Sequence, residues 1–259
     1  MNVGMEWNYH THTVRCHHAR GTEREFIEKA IACGMRELGF SDHAPYAFPD
    51  GYVSGFRMSQ DETAEYFAVL RALKEEYADR ITIHVGFEAE YYPAYFDDFL
   101  RHIRSYDCEY LILGQHFLEN ETSHLYSGTP TDDEAYLAKY ADQVIAGMQT
   151  GLFSYVAHPD LPNWQGKPDA YDRQMSRLCR AAAESDVPLE LNFLGLFERR
   201  PYPNKRFWEL AAQAGCTAVL GCDAHEPEAL DRPETEREAH EMLKECGLTP
   251  LKAVRLRRV

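Results

Sequence analysis

The feature that most restricts what this chain can fold into is an alternation of short apolar runs with longer amphipathic stretches, repeated along the whole sequence. Runs at 7–9, 37–40, 81–87, 110–113, 154–157, 189–192 and 218–221 have the length and residue content of buried strands. The stretches 22–33, 60–77, 95–105, 132–150, 173–185, 204–214 and 235–246 read as helices. Thr22 with Glu25 makes a capping box at the first of them. Gly34, Gly151, Gly215 and Gly247 stand where helices should stop. Strand–helix units in regular order predict an α/β protein with a parallel sheet. A closed or nearly closed barrel is the expected architecture, and an open doubly wound sheet is the alternative. Nothing resembles an interdomain linker, so residues 1–259 are expected to form one domain.

The second constraint is where the metal-binding residue types fall. His10 and His12 follow the first predicted strand, His43 the second, His116 the fourth and His158 the fifth. Glu88 ends the third strand, and Asp223 and His225 follow the seventh. The sixth strand end offers only Asn192. Parallel α/β folds gather their active sites at the carboxyl ends of strands, so these side chains should converge. His10 and His12 are two residues apart on an extended segment and point the same way, as do Asp223 and His225. His18, six positions beyond His12, can close over the site. An isolated HxH or DAH is a weak signal; the shared placement at strand ends carries the reading. Zinc, iron and manganese accept such mixed ligands, and the donors exceed what one ion can use. Two or three divalent ions are therefore expected. His84 inside a strand, His102 and His240 in helices, and His17 and His124 in loops read as structural or solvated. Cys222 reads as core filling.

The formal net charge of −15 repels nucleic acid and anionic membranes. A phosphorylated substrate would then need positive charge concentrated locally, which metal ions supply. The seven cysteines are irregularly spaced with no CxxC pair, which fits reduced thiols. The segment MNVGMEWNYH has no signal-peptide apolar core, and no run is long enough to span a membrane. A cytoplasmic protein is expected; its oligomeric state is not legible.

As an ordered set, His10-Thr11-His12-Thr13, His18, Ser41-Asp42-His43-Ala44-Pro45, Gly86-Phe87-Glu88, Gly114-Gln115-His116-Phe117, His158-Pro159-Asp160 and Asp223-Ala224-His225 resemble the motifs of the polymerase-and-histidinol-phosphatase superfamily. Leu189-Glu190-Leu191-Asn192 and Pro201-Tyr202-Pro203 resemble its histidinol-phosphate phosphatase branch. The resemblance implies a distorted (β/α)7 barrel with a trinuclear centre at the carboxyl ends of the strands. It implies one ion on His10, His12, Glu88 and Asp223, a second on Glu88, His116 and His158, and a third on His18, His43 and His225. One departure stands out. The branch continues its asparagine stretch to Gly-Leu-Arg, whereas here Gly195-Leu196 leads to Phe197, with Arg199 and Arg200 displaced beyond it.

The expected activity is hydrolysis of a small phosphate monoester, L-histidinol phosphate, by a metal-bridging hydroxide. His10, His12, Glu88, Asp223 and His225 form the catalytic core. Arg200, Arg199 or Arg57 would clamp the phosphate. Asp42 and Asp160 are expected to orient neighbouring histidines, and Phe117 or Tyr202 to pack on an imidazole. The alternatives are a related phosphoesterase acting on another ester or nucleotide, a metal-binding module without catalysis, and an amidohydrolase. The last commonly bridges its ions with a lysine, and no strand end carries one.

Overall fold

The computed structural model describes residues 4–259. Seven parallel strands form one sheet in chain order: β1 (Trp7–Asn8), β2 (Glu37–His43), β3 (Thr82–Ala89), β4 (Tyr110–Leu113), β5 (Phe153–Val156), β6 (Leu189–Asn192) and β7 (Ala218–Gly221). Between them run α1 (Glu23–Ala32), α2 (Thr63–Glu76), α3 (Phe96–Arg104), α4 (Glu134–Gln149), α5 (Pro168–Glu184), α6 (Phe193–Phe197) and α7 (Lys205–Ala214). α8 (Pro233–Glu245) follows β7. Each strand lies beside the next in sequence, which a chain can achieve with parallel strands only by inserting a crossover between them.

The sheet curls into a nearly closed barrel of the expected distorted (β/α)7 kind. Its seam lies between β1 and β7. Thr11 and Ala224, just beyond those strands, form a parallel bridge, with the His12 amide donating to Ala224 O at 2.9 Å and the Ala224 amide to His10 O at 3.1 Å. Asn8 spans the same gap: its Oδ1 accepts from the Cys222 amide at 2.9 Å and its Nδ2 donates to Thr11 Oγ1 at 2.8 Å. At the other end of the seam the C-terminal segment runs beside β7, with Leu251 N donating to Ala218 O, and Trp7 Nε1 donates to Lys252 O.

Strand alternation sorts the side chains into two shells. Leu111, Leu113, Phe153, Val156, Leu189, Leu191 and Leu220 pack outward against the helices. Tyr9, Tyr110, Ile112, Tyr155 and Val219 form a second cluster inside the barrel. Each large side chain so buried contributes about 1.5–3 kcal/mol. The inner aromatic layer plugs one end, with Tyr110 Oη donating to Tyr9 O at 2.8 Å. Gly39 faces this layer, and a Cβ there would overlap Tyr110 Oη. Further along the same inward-facing rows come Glu88 and Glu190, so the barrel interior turns from apolar to ionic toward the carboxyl ends.

The strands fall within a few residues of the expected runs. The Thr22–Glu25 capping box is present, and Gly34, Gly151, Gly215 and Gly247 all adopt positive φ after helices. Three helical details differ. The 60–77 stretch divides into a 3-10 turn at Gln60–Glu62 and α2. α5 starts at Pro168 rather than 173, because proline at a first helical position loses no hydrogen bond. α6 was not expected: Asn192 Oδ1 accepts from the Gly195 amide and caps a short apolar helix directly after β6.

Candidate metal centre

β2 and β3 pair so that His43 lies opposite Glu88 in register. The loops after β5 and β7 bend at His158 (φ 30°) and Asp223 (φ 49°), left-handed conformations that side-chain-bearing residues rarely hold and that cluster at functional sites. The bends return both side chains toward the barrel axis. There Asp223 Oδ1 lies 3.3 Å from His10 Nε2, 3.1 Å from His12 Nε2 and 3.4 Å from His225 Nδ1. Glu88 is central: His158 Nε2 is 2.8 Å, His116 Nε2 3.5 Å and His10 Nε2 3.5 Å from its Oε1, and His43 Nδ1 is 3.0 Å from its Oε2. On the outer side His18 Nε2 and His225 Nε2 are 3.0 Å apart.

Five overlapping sets of donors have their ligand atoms within 4.8 Å of one another: His10–His12–Glu88, His10–His158–Asp223, His43–Glu88–His116, His18–His43–His225 and His12–Cys16–His225. Donors at about 2.0–2.2 Å from a shared ion stand roughly 3–4 Å from each other, which matches these separations. A second observation tests the fit. His10 Nε2, His12 Nε2, His43 Nδ1 and Glu88 Oε2 are sealed from solvent and, despite their short separations from one another and from Asp223, make no properly aligned hydrogen bond. Leaving such atoms unpaired costs about 1–3 kcal/mol each, and a cation shared among them removes that cost. The donor set fits two or three divalent ions. Cys16 fits less well, since burial and then the Asp42 charge push its thiol up to about 12.

The electrostatics are mutually dependent. Burial pushes His10 down, but the Asp223, Glu190 and Glu88 carboxylates outweigh it and hold the group well above its ordinary value. His12 is likewise raised, to about 9, with Asp223 and Asp42 overcoming burial. Burial and the charge on His12 drive His43 and His225 well below theirs. Burial opposes ionisation of Glu88 and Asp223, yet the surrounding histidines hold both well below the usual carboxylate range.

Residues behind the donors orient them. Glu190, on β6, takes a hydrogen bond from His10 Nδ1 at 2.8 Å and another from Asn192 Nδ2 at 2.6 Å; Asn192 also donates to Asp223 Oδ2 at 3.1 Å. Glu90 lies 3.2 Å from His116 Nδ1. Neither glutamate was given a role from sequence, although Glu190 lies on β6 two residues before Asn192 and Glu90 just beyond the end of β3, two residues after Glu88. Asp42 lies 3.5 Å from His12 Nδ1 and accepts from the Thr13 amide at 3.2 Å. Asp160 does not orient His158; its Oδ2 accepts from the Asn204 amide at 2.6 Å, tying down the loop after α6. Tyr202 stands 5.9 Å from the His158 ring, while Phe117 touches no imidazole and Phe56 instead packs edge-on to His43 at 4.8 Å. Cys222 is buried, and burial raises its thiol.

A cavity of about 690 Å³ opens over the donors, walled by Phe117, Tyr126, Phe197, Arg200, Tyr202 and Arg232. Two of the expected phosphate-binding arginines stand elsewhere. Arg57 is buried outside the cavity wall, its guanidinium held by Glu90, Glu121 and Ala44 O. Arg199 lies outside the cavity wall and pairs with Glu238 at the surface. Arg200 remains in the wall, its Nη1 donating to Tyr202 Oη at 2.9 Å.

A nearly closed parallel barrel with a histidine–carboxylate cluster at the carboxyl ends of its strands defines a multinuclear metal-binding (β/α) barrel. A family model for the PHP domain matches residues 8–193, and the chain belongs to that family. Among its relatives is a probable histidinol-phosphatase of Deinococcus radiodurans, 29% identical over 234 residues, covering 84% of this chain and 85% of that one. Another from Schizosaccharomyces pombe is 23% identical, covering 95% and 89%. The fold matches the crystal structure of a histidinol phosphate phosphatase from Lactococcus lactis in complex with zinc, L-histidinol and phosphate. The TM-score is 0.73 and the identity 19%, covering 97% of this chain and 99% of that one.

Proposed function

We propose that this chain is a metal-dependent phosphomonoesterase that hydrolyses L-histidinol phosphate to L-histidinol and phosphate. The observation carrying the reading is the Glu88–Asp223 pair ringed by His10, His12, His43, His116, His158 and His225, with unpartnered donor atoms facing inward. In this reading His10, His12, Glu88 and Asp223 hold one ion, Glu88, His116 and His158 a second, and His18, His43 and His225 a third. Bound divalent ions supply Lewis acidity toward phosphoryl oxygens and lower the pKa of water toward about 7.

The protein's part is to fix and screen. Glu190 and Glu90 hold His10 and His116 in the tautomers that turn Nε2 inward. The buried Tyr9–Tyr110–Tyr155 layer fills the barrel below the donors, and the cavity above them is the approach for reactants. Arg200 supports phosphate binding from the wall beside Tyr202. A surface carrying a net −15 disfavours long nucleic acids and favours a small ester attracted by local positive charge. The cysteines among the described residues are all unpaired, which supports work in a reducing cytoplasm. No described helix is long and apolar enough to cross a membrane.

The decisive experiment is steady-state kinetics on L-histidinol phosphate with metal-stripped and metal-reconstituted protein. Activity should vanish on stripping and return with zinc, iron or manganese. Equal turnover of generic phosphate esters would defeat the histidinol assignment. Phe197 in place of the motif arginine favours a second reading, a PHP phosphoesterase for another ester or nucleotide, and a substrate panel separates the two.

A further inference from the structure

Arg232 was not anticipated from sequence and belongs to no donor set. It precedes α8 and contributes to the cavity wall beside Asp223 and His225. Its side chain is only 11% exposed. Nη2 donates to Glu226 Oε1 at 3.1 Å, and the guanidinium carbon lies 3.5 Å from the centre of the Phe197 ring. Nη1 is sealed from solvent and has no partner.

A guanidinium cannot shed its proton to escape burial, so an unpaired buried N–H of this kind is a standing penalty. The other cavity arginines differ. Arg200 is satisfied by Glu198 and Tyr202, and Arg20 is 83% exposed with its Nε 3.2 Å from Glu226. Glu226 is thus shared by two guanidiniums, which leaves a surplus of positive charge next to His225. Phe197 covers one face of the Arg232 guanidinium. This ring is 54% exposed at the end of the five-residue α6, so it is the readily displaced side of the enclosure.

We propose that Arg232 is a substrate-binding residue whose guanidinium, held between Phe197 and Glu226, donates to an oxygen of the phosphate group. The inference rests on the phosphomonoesterase reading. It also gives Phe197 a role: the position where the motif resemblance calls for arginine carries the platform for an arginine from elsewhere in the chain. An arginine at 197 would bring its own guanidinium to the same wall.

The test uses metal-loaded R232Q, R232K and the double variant F197R/R232Q. It reads calorimetric affinity for inorganic phosphate and the KM and kcat for L-histidinol phosphate. Loss of a charge-assisted contact should weaken phosphate affinity and raise KM by about ten- to a hundredfold in R232Q, with kcat nearly unchanged. R232K should fall between R232Q and the parent, because lysine keeps the charge and loses the planar fork. F197R/R232Q should recover both parameters to within about threefold of the parent, a small energy on this scale. Phosphate affinity and KM unaltered in R232Q, or in R232K should R232Q not fold, would overturn the proposal. So would a loss in R232Q that neither R232K nor F197R relieves, since that pattern marks a purely structural arginine. Inorganic phosphate carries no histidinol, so a failure of the substrate assignment would show separately, as a lack of preference in the parent protein.

Discussion

Glu190 Oε2 lies 2.8 Å from Nδ1 of His10, with both residues shut off from solvent. That contact engages Nδ1 and leaves Nε2 turned to the space shared by Glu88 and Asp223, where it would give its lone pair to a bound ion. Replacing the carboxylate with an amide weakens this hold without changing its volume. Glu190→Gln should lower metal affinity about 10–100-fold while the protein stays folded. Metal titration against a competing chelator, with thermal melts as the control, reads both. Undiminished affinity would remove Glu190 from the working site.

Gly114 sits against the other central carboxylate. A Cβ at this position would overlap Glu88 Oε1, so the strand end must carry glycine for Glu88 to reach the axis. Gly114→Ala should destabilise the protein by about 1–3 kcal/mol through overpacking and reduce its bound metal. Denaturant midpoints and metal content, compared with Gly55→Ala where nothing crowds the added atom, check this.

The histidine shifts give a pH signature to the metal-free protein. His12 is raised to about 9 and His10 well above its ordinary value, so the folded state holds their protons more tightly than the unfolded chain. The His12 contribution is fully present below about pH 6.5 and is lost as pH climbs through about 9, and that of His10 has the same sign. His43 and His225 are lowered, so they act oppositely and weaken the fold as pH drops below about 6.5. In chelator the melting temperature should therefore peak near neutrality and decline by pH 9. Metal-loaded protein should resist the alkaline decline, because ions displace those protons. Melts across pH with and without chelator measure it.

The arginines separate by burial. Arg57→Ala leaves Glu90 and Glu121 buried without their countercharge and should cost about 3–5 kcal/mol of stability. Arg199→Ala, at an exposed pair, should shift stability by no more than about 1 kcal/mol and leave KM unchanged. Chemical denaturation and steady-state kinetics on the two variants check the contrast.

These differences also mark how much the sequence discloses. β4 through β7 are buried on both faces; β4 and β7 appear as unbroken apolar runs, while β5 and β6 are interrupted by Ser154 and by Glu190 and Asn192, the last two of which face the donors. The donors other than His18 were legible because they stand at or just beyond strand ends, positions that backbone topology alone brings to one place. Arg57 was not, because its partner Glu121 is 64 residues away and nothing local announces a buried ion pair. Glu90 and Glu190 carried a signal that was available, the period of two that puts them beside Glu88 and Asn192. α6 hid because an apolar run of its length reads equally well as a strand extension. The pairing of Arg232 with Phe197 depends on where α8 begins relative to α6, which only packing decides.

The barrel is fastened at Thr11 and Ala224, and those two residues interleave with His10, His12, Asp223 and His225. One clasp would therefore serve as both hoop and hearth: cations gripped by the first and last strand ends would rivet the cylinder shut. Emptying the centre should let the staves part there first. Amide deuterium uptake at His12 and Ala224 would then quicken well before the tyrosine-filled base loosens.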